Sequence, residues 1–204
     1  MDNKRRMFLE GAFNVIGAVT FLLFAAVVIM DFYTTHRLSS LLIFIHTFMF
    51  VVFYIVRKAP PKETNWSIRD WLVVAGSMVV YNFLAPAAQI HDLFIMQVLQ
   101  IIALGIFLAG MLSLNKSFGL VAANRGIKSS GIYKYLRHPL YAAYFLEGIA
   151  FVAQNMTARN IIVLIVWTVF QFLRIFAEEQ YLSRDLVYVD YMKKVRWRLI
   201  PGLY

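Results

Sequence analysis

Thirteen residues, Ser129 to Tyr141, hold the densest chemistry in the chain: tyrosines at 133, 135 and 141, and the run Arg137-His138-Pro139. A second group, Arg174 with Glu178 and Glu179, follows about forty positions after the histidine. Proline has no backbone N–H and is tolerated in the first turn of a helix. Pro139 therefore predicts a helix start, with Arg137 and His138 held just ahead of it. Arg174 and Glu178 are four apart and share one helix face. Adjacent carboxylates suit a cationic ligand, and the two clusters read as opposite walls of one site. A metal is not expected, because His138 and two glutamates carry no ligand-spacing motif. A Rossmann nucleotide site is excluded, since no glycine-rich turn follows a strand and no strand is predicted.

The elements that must position these groups are apolar. The 204 residues are 61% hydrophobic, 16% aromatic and only 15% charged, far from the make-up of an average soluble domain. Six apolar blocks run roughly Gly11–Met30, Leu38–Val56, Trp71–Ile90, Leu93–Leu114, Pro139–Gln154 and Asn160–Phe176. A bilayer asks for ~20 residues of helix per span, with ~17 tolerated; the first four blocks meet that and the last two stand at its limit. The predicted fold is an all-α, polytopic membrane bundle of about six transmembrane helices in a single membrane domain. Residues 1–114 supply four helices, and residues 115–204 a site-bearing loop, a helical hairpin and a cytoplasmic helical tail.

Charge gives the orientation. Eighteen of the twenty Lys and Arg residues fall in the N-terminus, the loop Arg57–Arg69, the loop Lys116–Arg137 and the region from Arg174 onward; only Arg37 and Arg159 fall on the other side. The positive-inside rule then puts both termini and both long loops in the cytoplasm. In so apolar a chain, anionic lipid rather than nucleic acid accounts for the formal charge of +9. The lack of cysteine excludes disulfides and thiolate metal sites. Compact length and minimal loops point to a prokaryotic plasma membrane.

Short turns near His91-Asp92 and Met156–Arg159 predict antiparallel hairpins of block three with four and block five with six. Pro86 is expected to kink block three, and Pro60-Pro61 to stiffen the second loop. The connection Asn115–Arg137 carries Gly119, Gly126 and Gly131 with Phe118, Tyr133 and Tyr135, and reads as an ordered lid. Gly105 and Gly110 read as helix-packing glycines, and His46, Asn82 and Gln97 as interhelical hydrogen-bond partners. Glu147 stands nine residues past His138, ~13 Å into its helix. A carboxylate there is costly and is a functional candidate by default; a pair with Arg174 and contact with a substrate are both open.

Arg137-His138-Pro139-x-Tyr141, then Glu178-Glu179, then Tyr188-x-x-Tyr191-x-x-x-Val195-x-x-Arg198-x-Ile200-Pro201, all after several spans, resembles the isoprenylcysteine carboxyl methyltransferase and phospholipid methyltransferase superfamily. The likeness covers roughly the last ninety residues. It implies an integral membrane enzyme that binds S-adenosylmethionine on the cytoplasmic side and methylates a lipophilic acceptor, whether carboxylate, thiol, phenol or amine. It implies that Tyr133 and the segment His138, Pro139, Leu140 and Tyr141 contact the cofactor. It further implies that Glu178, with Glu179 beside it, binds the cationic amino-acid end, that the loop ending at Lys128 lines the pocket, and that Arg174 orients the acceptor. The residue types suit that ligand. Its sulfonium and ammonium match carboxylates, its carboxylate matches Arg137 or backbone N–H groups, and its adenine can stack on tyrosines. A phenol or amine acceptor would need a base, for which Glu147 and His138 are candidates.

Two other readings stay open. Sterol reductases, which use NADPH, share a His-Pro-Tyr segment and a tail much like Arg198-Leu-Ile-Pro-Gly-Leu-Tyr204, although dinucleotide phosphates are poor neighbours for Glu178-Glu179. A non-enzymatic membrane protein would leave the spacing of the two clusters unexplained.

Overall fold

The computed structural model describes residues 3–56, 67–87, 92–114 and 127–204, and every regular element among them is helical. In chain order these are α1 (Asn3–Thr35), α2 (Leu38–Val56), α3 (Ile68–Tyr81), α4 (Phe94–Leu114), a 3₁₀ turn (Gly131–Lys134), α5 (Pro139–Gln154), α6 (Ala158–Leu182) and α7 (Leu186–Lys194). Each apolar block contributes one helix, and α7 follows them.

The bundle turns large apolar side chains outward and buries a set of polar ones within its apolar core. Val15, Ile16, Leu23 and Met30 of α1, Leu112 of α4, and Ile162, Ile165 and Val169 of α6 point outward. Arg37, Ser39, His46, Gln100, Glu147, Gln154, Asn155 and Asn160 are buried. A water-soluble domain does the reverse; a bundle solvated by lipid must satisfy its polar groups internally. Among the described residues, Val15–Thr35, Phe94–Leu114 and Ala158–Leu182 are long and apolar enough to cross a membrane, and Leu38–Phe53 is a shorter apolar stretch. The 16 residues of α5 and the 14 of α3 reach only ~24 and ~21 Å.

The third block departs from expectation. Its helix stops at Tyr81, so Pro86 terminates the element rather than kinking it. Carried further, the helix would press the Pro86 ring against the Asn82 carbonyl and leave that carbonyl without a donor. The chain leaves instead as an extended segment held by two asparagines. Asn160 accepts from the Ala85 N–H (3.1 Å) and donates to the Ala85 carbonyl (2.8 Å), while Asn155 Oδ1 accepts from the Ala87 N–H (2.9 Å). One amide side chain offers both a donor and an acceptor, and so substitutes for a helical partner.

This rerouting changes the packing. The expected hairpin of blocks three and four does not form: α3 packs on α6, α4 on α5 and α1 on α2, while α5 and α6 do pair as a hairpin. Gly76 lets α3 approach α6, since a Cβ there would stand 2.6 Å from the Phe170 ring. Gly110 gives the same room to Leu140, as a packing glycine should, whereas a Cβ at Gly105 would meet nothing within 4 Å. His46 does face another helix, toward Glu147. Asn82 bonds back to the Met78 carbonyl (2.8 Å) and Gln97 to Asp92 (3.0 Å), neither bridging two helices.

At the end of α5 remote from Tyr141, Arg37 is 3% exposed. It donates to Asp92 Oδ1 (3.0 Å) and Asn155 Oδ1 (2.9 Å) and reaches the carbonyls of Ala87 and Gln154. Burial alone would raise the Asp92 pKa, but hydrogen bonds from Ser39, Gln97 and Arg37 hold it below the ordinary value. Residues 115–126, with Phe118, Gly119 and Gly126 of the expected lid, and Pro60-Pro61 lie outside the described residues.

Candidate active site

The half of the site at the Tyr141 end of α5 is assembled by the 3₁₀ turn, the start of α5, the end of α6 and the C-terminal segment. Gly131 opens the turn at φ +60, and a Cβ there would collide with Ser113 of α4. Only glycine adopts that conformation in that space, so the turn is fixed on the end of α4. The Tyr191 hydroxyl donates to the Tyr133 carbonyl (2.7 Å), which ties α7 to the turn. The Arg137 and His138 N–H groups donate to the carbonyls of Trp197 and Arg198, both at 2.9 Å. Pro139 then occupies the first turn of α5, as its chemistry predicts.

The two adjacent glutamates have different surroundings. Glu179 Oε1 takes the Arg137 guanidinium at 2.7 Å and His138 Nε2 at 3.1 Å, and Oε2 takes Arg198 Nε and Nη2 at 2.9 Å. Three basic side chains therefore surround one buried carboxylate, and the hydrogen bond that Arg198 donates to Glu179 raises the Arg198 pKa. Glu178 has no ion-pair partner among the described residues. Its Oε2 accepts from the Tyr141 hydroxyl at 3.0 Å. Tyr133 and Tyr188 lie near enough to feel its charge. Burial, and then Glu178, push both phenols above their ordinary range.

The second half lies inside the bundle. Twelve side chains line a cavity, among them His46, Ser77, Tyr144, Glu147, Gln171 and Arg174. Arg174 borders both halves. Its guanidinium lies 5.3 Å from the centre of the Tyr141 ring, and Nη1 donates to Gln171 Oε1 (3.1 Å) and reaches Ser77 Oγ (3.5 Å). Glu147 turns to Gln100 (2.9 Å) and toward His46 (3.6 Å). Glu147 and Arg174 thus share a cavity, each with other partners, rather than being each other's main contact.

The expected residues separate by position. Tyr133, Tyr141 and Glu178 converge, with Tyr188 beside them. His138, Arg137 and Glu179 form the ion cluster behind. Leu140 is buried against Gly110 of α4, and Pro139 is fully buried. Lys128 is half-buried on the segment leading to the 3₁₀ turn and makes no ion pair among the described residues. Tyr144, Trp167 and Ser77 were not singled out by sequence reasoning, and Arg198 only as part of the tail motif. A signal existed for the first two. Tyr141, Tyr144 and Glu147 are three apart, and Trp167, Gln171, Arg174 and Glu178 recur every three or four residues. Each set marks one face of a helix.

Residues 93–184 match the model of the isoprenylcysteine carboxyl methyltransferase family, a family of methyltransferases. No curated protein matches the chain. The matched stretch runs from the start of α4 past the end of α6 and includes Tyr133, Tyr141, Glu147, Arg174 and Glu178. Over residues 93–184 the chain is similar to the isoprenylcysteine carboxyl methyltransferase family, while the cavity wall from α1, α2 and α3, and Tyr188 and Arg198, lie outside the matched stretch.

Proposed function

We propose that this integral membrane protein transfers a methyl group from S-adenosylmethionine to a lipophilic acceptor that occupies the intramembrane cavity. In this reading the six helices of the apolar blocks span the bilayer, with both termini and the Glu178 face in the cytoplasm. The observation that carries it is Arg174, which touches the Tyr141 ring on the cytoplasmic side and lines the cavity on the other.

The residues present fit the cofactor. The Tyr188 hydroxyl is buried without a hydrogen-bond partner among the described residues, and no cation among those residues forms an ion pair with Glu178. Glu178 would hold the cationic amino-acid end, with Tyr133, Tyr141 and Tyr188 around it. When bound, S-adenosylmethionine supplies an electrophilic methyl group on a sulfonium. Glu179 is assigned a positioning role, because Arg137, His138 and Arg198 already occupy both of its oxygens. Arg174 orients the acceptor head group beneath Tyr141. The buried walls exclude water, and holding two reactants in line supplies roughly 7–11 kcal/mol at best.

The test uses membranes containing the chain and S-adenosylmethionine labelled in its methyl group. Label is expected in the solvent-extractable lipid fraction, and Arg174→Ala should cut its rate about 100-fold while S-adenosylhomocysteine affinity changes less than threefold. Label confined to water-soluble products, or a fully active Arg174→Ala, removes the reading.

A further inference from the structure

The deep wall of the cavity holds an unusual set of side chains. Glu147 is 2% exposed and His46 5%. Glu147 Oε1 accepts from Gln100 Nε2 (2.9 Å), Gln100 Oε1 accepts from Gln154 Nε2 (3.0 Å), and Gln154 Oε1 accepts from the Leu93 N–H (3.1 Å). The carboxylate is thereby held in place through two amides anchored on the backbone just before α4. The His46 ring is fixed against Phe107, with centroids 4.4 Å apart. Glu147 Oε2 stands 3.6 Å from His46 Nδ1, beyond hydrogen-bond range. Both atoms and the Tyr144 hydroxyl are buried with no hydrogen-bond partner among the described residues. All three side chains line the cavity.

Buried polar atoms are nearly always satisfied, and a carboxylate at membrane depth marks a functional site. Three orphaned atoms on one cavity wall define where a ligand's polar atom belongs. An atom placed between Oε2 and Nδ1 can lie about 2.8 Å from each, within hydrogen-bond range. It must donate to the carboxylate, and it can accept from an imidazole N–H. A hydroxyl or an amine does both. A carboxylate only accepts and would face a like charge, and a hydrocarbon does neither.

We propose that His46 and Glu147, with Tyr144, form a specificity subsite that binds an O–H or N–H group of the acceptor. The enzyme would then favour apolar alcohols, phenols or amines over hydrocarbons and over acids seated at that depth. Glu147 lies six residues beyond Tyr141 on α5, a rise of ~9 Å, so the subsite sits deeper in the bundle than the Arg174 end. The inference rests on the reading of the cavity as the acceptor chamber.

The purified chain in detergent, without cofactor, would be titrated with para-nonylphenol, nonylbenzene and decanoate while tryptophan fluorescence is followed, Trp167 being one of the lining residues. The phenol is expected to bind at least tenfold tighter than nonylbenzene or decanoate. Glu147→Gln, which keeps the side chain's shape, and His46→Phe should each bring the phenol-to-hydrocarbon ratio below threefold. Equal affinities in the unaltered chain, or a preference that survives both substitutions, overturns the subsite; the first comparison needs no variant to fold. S-adenosylhomocysteine binding, measured on the same preparation, reports separately on the donor site. Its loss with the phenol preference intact would remove the methyltransferase reading and leave the subsite standing.

Discussion

A carboxylate near the end of a membrane helix can be neutralised by its own chain or left to a ligand, and α6 carries one of each. Glu179 is surrounded by Arg137, His138 and Arg198, so its charge holds the C-terminal segment to the start of α5. Glu178 accepts from the Tyr141 hydroxyl and has no ion-pair partner among the described residues. Glu179→Gln should therefore lower stability by about 2–3 kcal/mol, because hydrogen bonds to charged groups are lost and basic side chains are left without their partner. Glu178→Gln keeps an oxygen for Tyr141 and should unfold within about 0.5 kcal/mol of the unaltered chain. Chemical unfolding in mixed detergent separates the two, and equal destabilisation would contradict the division of roles. The sequence displayed both glutamates but not their difference. Arg198, which decides it, is nineteen residues further on and arrives through backbone pairing of the tail, not through helical spacing.

Between helices, stability comes from a few tight contacts and a buried polar lock. Asn160 satisfies both backbone groups of Ala85, and Asn160→Ala would leave a donor and an acceptor unpaired at about 1–3 kcal/mol each. A loss below about 0.5 kcal/mol in unfolding measurements would mean that the extended segment is held by something else. Asp92 is a second anchor, bound by Arg37 and Ser39. Its folded pKa lies below the unfolded value of about 3.9. The stabilisation is therefore complete above that pH and is lost as pH falls through the folded pKa. Asp92→Asn should abolish this acid-dependent component, and an unchanged acid transition would contradict it. The blocks and their order could be read from hydropathy alone. The partner of α3 could not, because Pro86, Asn155 and Asn160 are ordinary residues until the chain brings them together. Glu147 was visible as an expense no lipid-facing helix would carry, yet Gln100, which holds it, lies on α4 and is itself held by Gln154 about two turns further along α5.

At the scale of the whole molecule, the account places a cytoplasmic cofactor cleft above an intramembrane chamber, joined at Arg174. The topology can be tested because the chain has no cysteine. Ser129→Cys, exposed beside the 3₁₀ turn, and Met156→Cys, 63% exposed at the α5–α6 turn, should lie on opposite faces of the membrane. In sealed vesicles with the outer face exposed, an impermeant maleimide should label Met156→Cys and spare Ser129→Cys; equal labelling would undo the arrangement. The measurement that bears most directly on function is cofactor binding by the purified chain, titrating S-adenosylhomocysteine and NADPH against both the unaltered protein and Glu178→Gln. The account predicts saturable S-adenosylhomocysteine binding that weakens at least tenfold in the variant, with no saturable NADPH binding. Binding of NADPH alone, or S-adenosylhomocysteine affinity indifferent to Glu178, would contradict it.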